Sequence, residues 1–547
     1  MANYLAKCSF LQQHAKRKNS QRQEFAKIVL PRPAASSYGL RIRTWHFRTL
    51  PSNVRYPKDN PISNRSMISD VLFHNTLSRK AEPIQPTKGN LVGMYCCGPT
   101  VYDQAHIGNF RTFLSQDVMR RTLQIAGFKV IHVRNLTDVD DKTIAKSREE
   151  GKPLREVTEH WTKVFHRDCE RFNMLKPQIE PRATDHIQEQ IDMIANLLDQ
   201  GHAYATDDGS VYFRVSSFEN YGKLSRLKER ELTTSAADSS PNDSDEYERD
   251  SMADFVMWKS RKEGDGDVFW ESPWGQGRPG WHLECSAMAM KYLGSNLDIH
   301  SGGEDLVFPH HENEIAQSEC SCNSQFFKYW IHCAHLLVEG GKMSKRLNNF
   351  YTVDDIEKKG FPPVVLRYAL TSGAYRQTIN FTMDSLHATQ SALVRLKRFS
   401  DDILGASGLK RSALLKAIEK GKHLKDDWDM FATAWEKLSN DLNIPAALGS
   451  IFTAIKSAKI EELDPEAAAK YAISFHKLIY ALGYDLDKFI AEKPKVDAPE
   501  EIKKLAFERW EAKQAKDWAT SDQLRDALQK QGWKILDKKD GYVLEPL

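Results

Sequence analysis

No stretch of this sequence approaches the roughly 20 consecutive apolar residues that a membrane-spanning helix needs, so no membrane partner is expected. Cysteine is scarce, eight in 547 residues. That usage excludes a disulfide-dense scaffold and suits a reducing compartment, where thiols stay free to ligate metal. Charge of one sign is also missing: the formal balance is only +3, so any nucleic-acid-binding surface must be local. What remains, 41% hydrophobic and 28% charged residues, describes an ordinary globular protein. The length is too great for a single core and predicts about three or four domains.

Acidic residues are nearly absent from residues 1–66, which carry thirteen Lys or Arg against Glu24 and Asp59 alone. We read this segment as a disordered basic extension of a cytoplasmic protein. An organellar location follows only if it is a transit segment. Order is expected from about residue 67. Residues 91–97 read as a strand broken by Gly98-Pro99, 110–126 as a helix ended by Gly127, and 129–133 as the next strand. A strand-helix-strand unit implies a parallel sheet with a ligand crevice at the carboxyl ends of its strands. A further parallel strand is expected at 297–300, followed by a helix to about Glu319. The polar run 233–250 reads as a loop inside an insertion at about 200–260. Leu386, Leu393, Leu396 and Ile403 start a helical period. The expected fold is α/β: a Rossmann-like catalytic domain over 67–385 with the inserted segment, a helical bundle over 386–493, a linker from Pro494, and a small α+β module over 494–547.

Four side chains could form a tetrahedral zinc set: Cys97 at the end of the first strand, Cys285, and His310 with Glu314 four residues later on one helix face. Only one of Cys96 and Cys97 can face a given ligand. Spacing alone equally suits two small core thiols beside a hydrogen-bonded His and Glu. Cys320-Ser321-Cys322 is read as incidental, lying past the predicted helix. Two loops suit nucleotide. His106-Ile107-Gly108-Asn109 precedes a helix whose free N–H groups can meet phosphate. Gly340-Gly341-Lys342-Met343-Ser344-Lys345-Arg346 offers two lysines on a glycine hinge. Either loop alone is also a plain solvated turn; their order in one α/β domain is more specific.

These loops resemble the HIGH and KMSKS motifs of class I aminoacyl-tRNA synthetases. Cys97-Gly98-Pro99-Thr100-Val101-Tyr102-Asp103, Gly280-Trp281-His282-Leu283-Glu284-Cys285 and Phe308-Pro309-His310-His311-Glu312-Asn313-Glu314 resemble the cysteinyl-tRNA synthetases in particular. So does Arg134-Asn135-Leu136-Thr137-Asp138. The resemblance runs from about Met67 to the C-terminus.

It implies activation of L-cysteine by ATP with Mg²⁺ to cysteinyl-adenylate, release of diphosphate, and transfer to tRNA(Cys). It makes Cys97, Cys285, His310 and Glu314 the ligands of one zinc per chain, which selects the substrate thiolate. His106, Asn109, Lys342 and Lys345 become the catalytic groups, with Gly98, Thr100 and Gly108 also at ATP. Thr100, Trp281, His282 and His300 are placed around cysteine, although Trp281 equally suits core packing. No editing domain is expected, and the chain is expected to act as a monomer. Two positions depart from the motifs: Asn109 stands where the family has His, and Arg346 where it more often has Ser. Both keep phosphate-binding chemistry.

At the C-terminal end Lys513, Trp518, Asp522 and Arg525 mix basic, aromatic and acidic groups that suit unstacked anticodon bases. The same residues also describe a solvated helix pair, and resemblance to the family's anticodon-binding end favours the first reading. Competing readings are a ligase joining cysteine to a small amine, a silent paralogue that binds zinc or tRNA, and a small-molecule nucleotidyltransferase.

Overall fold

The computed structural model describes residues 70–227, 253–343, 349–421, 427–489, 498–538 and 541–546. The basic extension over 1–66, the loop over 233–250, Ser344, Lys345, Arg346 and the linker at Pro494 lie outside the described residues.

A four-stranded parallel sheet organises the part of the chain that precedes the long helices. Strand β1 (Leu91–Cys96) leads through helix α1 (Ile107–Ile125) to β2 (Lys129–Arg134). Helix α2 (Trp281–Leu293) precedes β3 (Leu297–Gly303), and helix α3 (Glu312–Cys322) precedes β4 (Phe327–Cys333). The order is β4-β3-β1-β2, with every neighbouring pair parallel. Chain direction across the sheet therefore reverses between β1 and β3, and a crevice opens at their carboxyl ends. The inner strands are buried although β3 carries Asp298, His300 and Ser301, polar residues that neighbouring segments of the chain satisfy. β3 is buried along its full length.

Helix α1 begins three residues before the expected Phe110, because His106 serves as its N-cap. Gly127 ends it with φ 95°, a left-handed conformation that glycine adopts without strain. α3 runs through Cys322, so Cys320 and Cys322 lie inside the helix and not past it. Cys320 is buried, and Cys322 faces Ser324. The insertion forms an antiparallel sheet of Ala203–Ala205, Val211–Phe213, Phe255–Ser260 and Gly277–Pro279. Its last strand lies beyond the residue-260 limit read from sequence, where Gly277-Arg278-Pro279 gives no alternating pattern.

Helix Met383–Ser407 buries Leu386, Leu393, Leu396 and Ile403 and packs against Pro465–Leu482, which also touches α1. One apolar core runs without a break from Val71 through the sheet to Phe489. Arg367, fully buried, ties the halves. It donates to Asp117 Oδ2 at 2.7 Å, Phe172 O at 2.8 Å and Leu482 O at 3.0 Å. Residues Glu500–Gln514, Trp518–Lys530 and the hairpin Trp533–Lys538/Gly541–Pro546 have a separate core of Ile502, Ala506, Leu528, Trp533 and Ile535. Among the described residues no helix is long and apolar enough to cross a membrane.

Candidate active site and metal centre

Cys97 sits just past β1, with its backbone N–H donating to Ser301 O of β3 at 3.1 Å. Cys285 lies on α2. His310 lies in the widened turn Val307–His311 that runs into α3, and Glu314 in the first turn of α3. Three distant segments thus converge at the carboxyl ends of β1 and β3. Cys97 Sγ is 4.0 Å from Cys285 Sγ, and His310 Nε2 is 3.0 Å from Glu314 Oε1. The four donor atoms lie within 4.8 Å of one another, and none of the four residues is more than 6% exposed. Two thiols, an imidazole and a carboxylate at this spacing, sealed from water, fit zinc.

The electrostatics match. Burial opposes charge on Glu314, but His300 and His310 outweigh it and hold the carboxyl at about 2. Burial likewise opposes a charged His310, yet Glu314 and Cys285 hold it up to about 10. Burial pushes the Cys97 thiol up. Burial acts the same way on Cys285, but hydrogen bonds from Cys97 and His310 bring it down to about 6, so Cys285 ionises first.

Outer contacts orient these ligands. His310 Nδ1 lies 3.0 Å from His282 Nδ1, and Trp281 stacks on His310 at 4.3 Å. His300 Nε2 lies 2.9 Å from Glu314 Oε2 while its ring stacks on Trp330. His282 and His300 therefore face ligands, a relation the sequence does not announce. Nor does it assign a role to His311. That residue's Nε2 lies 3.3 Å from Cys97 Sγ, and its Nδ1 lies 2.7 Å from His332 Nε2, which continues to Thr76. With Cys97, His300 and Glu314 it makes a second compact donor set in the same pocket. The His310-His311 doublet was the one available signal.

The His106 loop lies against the residues that flank the second loop. Gly98 donates to Asn135 Oδ1 at 2.9 Å, and a Cβ there would strike the Asn135 carbonyl. Thr100 forms a parallel bridge with Thr137, extending the pairing of β1 with β2. His106 Nδ1 accepts from the N–H groups of Gly108 and Asn109 at 3.1 and 3.2 Å. Burial lowers this imidazole to about 4, so it is neutral and its proton must sit on Nε2. Asn109 Oδ1 accepts from the His106 N–H at 3.1 Å, closing a capping box. That reciprocal cap gives the departure at Asn109 a local structural use. Met343 lies over Gly108, where a Cβ would collide with it. Ile107 N–H donates to Tyr351 O at 3.0 Å. The segments flanking the second loop are thus fastened to the first. Lys342 is exposed, at the end of a short hairpin.

In the C-terminal module Trp518 is 60% exposed. Lys513 Nζ is 2.7 Å from Asp537, and Arg525 pairs with Asp522 at 2.8 Å. Three of the four residues expected at RNA are therefore paired within the protein, because acidic partners lie one helical turn away or on the adjoining strand.

The sequence profile of the tRNA synthetases class I (C) catalytic domain matches residues 83–391. The chain is 50% identical over 476 residues to the cysteine–tRNA ligase of Opitutus terrae, covering 86% of this chain and 98% of that one. It is 42% identical over 484 residues to the cysteine–tRNA ligase of Brachyspira hyodysenteriae, covering 87% and 99%. A Mycobacterium tuberculosis methionyl-tRNA synthetase in complex with methionyl-adenylate superposes with a TM-score of 0.51 at 12% identity, covering 74% and 92% of the two chains. That likeness concerns the fold. With half its residues shared over almost the whole of a relative, and with the class I sheet carrying the crevice described above, the chain belongs to the cysteine–tRNA ligases, a family of class I aminoacyl-tRNA synthetases.

Proposed function

We propose that the chain activates L-cysteine with ATP as cysteinyl-adenylate, that Cys97, Cys285, His310 and Glu314 hold a zinc ion in the amino-acid pocket, and that the cysteinyl group is then passed to tRNA(Cys). The observation that carries this reading is the position of the four buried donors. They lie at the carboxyl ends of β1 and β3, beside the loop that presents His106.

Zinc bound there supplies a borderline-soft Lewis acid that ligates thiolate in preference to hydroxyl, the discrimination that shape alone cannot make between cysteine and serine. His282 and His300 hold His310 and Glu314 in orientation. Trp281 walls the pocket from the His310 side, and Thr100 borders it at the β1 end. The substrate carboxylate attacks the α-phosphorus of ATP, which enters with Mg²⁺, and diphosphate leaves. The Nε2–H of His106 and the amide N–H of Asn109 donate to phosphate oxygens, and Lys342 and Lys345 neutralise the charge that builds. Gly98 and Gly108 lie at the nucleotide and let Asn135 and Met343 pack closely against the loops that hold it. Trp518 offers a stacking face to an unpaired base of the RNA.

Cysteine-dependent ATP–pyrophosphate exchange, measured with zinc content on wild type and Cys285→Ser, tests the reading. The variant is expected to lose both metal and exchange. Equal zinc and equal activity in the two proteins would overturn it.

A further inference from the structure

A polar knot lies upstream of His106 and involves none of the residues assigned above. Gln104 Nε2 donates to two carboxylates at once, Asp168 Oδ2 at 3.1 Å and Asp354 Oδ2 at 3.0 Å. The first carboxylate belongs to helix Leu154–Arg171 and the second to helix Val353–Lys358, which follows the Lys345 loop. Arg167 and Arg171 complete the knot. Arg171 Nη1 reaches Asp168 Oδ1 at 2.8 Å and Asp354 Oδ1 at 2.6 Å, and Arg167 Nη2 reaches Asp354 Oδ2 at 3.0 Å. Asp168 is buried, with these donors packed around its carboxylate.

The knot is one of two clamps on the same short loop. Downstream of His106, the Ile107 N–H holds Tyr351 O and His106 itself bridges Thr352. Upstream, Gln104 holds Asp354. The loop bearing His106 is therefore fixed on both sides to residues 351–354. An amide is well suited to the upstream role. Its two N–H groups satisfy two anions, whereas a carboxylate of the same shape would add a third negative charge and a thioether would take the donor from Asp168 Oδ2 and leave Asp354 Oδ2 to Arg167 alone.

We propose that Gln104, through Asp354, is a positioning residue for adenylate formation, setting the register between the His106 loop and the chain segment that follows Lys345. This rests on the reading of His106 as a phosphate-binding group.

Gln104→Met, Gln104→Glu and Gln104→Lys, with His106→Ala as reference, test it in pyrophosphate exchange with ATP and cysteine varied separately. Met and Glu match glutamine in size, so a packing role makes them equivalent, while a bridge between anions does not. Loss of the bridge is expected to lower kcat/KM for ATP about tenfold in Gln104→Met. Gln104→Glu should fall further, Gln104→Lys should return near wild type by supplying donors to both carboxylates, and KM for cysteine should stay within about twofold throughout. Melting temperatures identify any variant that fails to fold, and the near-isosteric pair is then compared through Asp354→Asn in the same assay, which should reproduce the loss in the ATP parameters. Equal effects of Met and Glu, no recovery in Lys, or a parallel change in KM for cysteine overturns the proposal. A His106→Ala enzyme with normal ATP kinetics overturns the underlying reading of His106, and the proposal with it.

Discussion

Glu314 Oε1 faces His310 Nε2 at 3.0 Å, and its other oxygen faces His300 Nε2 at 2.9 Å. One buried carboxylate thus joins a donor on the preceding turn to a histidine on the neighbouring strand. His310 in turn is held from behind by His282. The candidate metal centre is a layered array in which His310, Glu314 and Cys97 each have an outer partner.

Removing an outer partner should therefore weaken metal binding without deleting a ligand. His282→Ala is expected to lower zinc affinity about 10- to 100-fold. Competition with a chromophoric chelator measures it. Unchanged affinity would mean that His310 needs no support from Nδ1.

In chelator-treated protein, the same pair should shape stability against pH. His310 is held up to about 10 from 6.5, so its contribution is complete below about 6.5 and is lost as pH rises through about 10. Glu314 is held down to about 2 from 4.5, so its contribution is complete above about 4.5 and is lost as pH falls through about 2. Melting temperature should peak between these ordinary values, and His310→Gln should flatten the alkaline decline. Identical profiles for the two proteins would contradict this account.

His106→Asn separates capping from catalysis. Asparagine is a good N-cap, so the melting temperature should move by no more than about 2 °C. The variant lacks the Nε2–H, and exchange should fall about 10²- to 10³-fold. A variant that melts normally and exchanges normally would remove His106 from the chemistry.

Trp518→Ala should act on RNA alone. Loss of one stacked base costs about 1–3 kcal/mol, so KM for tRNA should rise about tenfold while pyrophosphate exchange holds. Lys513→Ala should matter less, since its ammonium is already taken by Asp537. The reverse ranking, read from aminoacylation kinetics, would place the contact surface elsewhere on the module.

Three of the four parallel strands were legible from short segments closed by glycine, proline or a polar turn, as at Cys97-Gly98-Pro99; β4 was not read from the sequence. The inner ligands were legible only through resemblance, since nothing in spacing links Cys97 to Cys285. The resemblance placed His282 and His300 around cysteine, but the role of the outer partners was not legible. His282 and His300 draw their roles from ring orientation, and His311 from standing across β1, which are facts of packing. The capping function of His106 was hidden because histidine is an uncommon cap, and its stretch looked like a phosphate loop only. Lys513 looked free because Asp537 lies on a strand that follows a turn, beyond the reach of helical periodicity.

The unbroken core from Val71 to Phe489 has a consequence for anyone dissecting or recombining such enzymes. A cut near residue 385, between the sheet and the helices, exposes apolar surface on both fragments and strands the guanidinium of Arg367 without Leu482. Transplants between relatives that exchange the whole helical half should yield insoluble hybrids. The workable joint lies after Phe489, where a second, self-contained core begins, and only the last fifty or so residues behave as an interchangeable cassette.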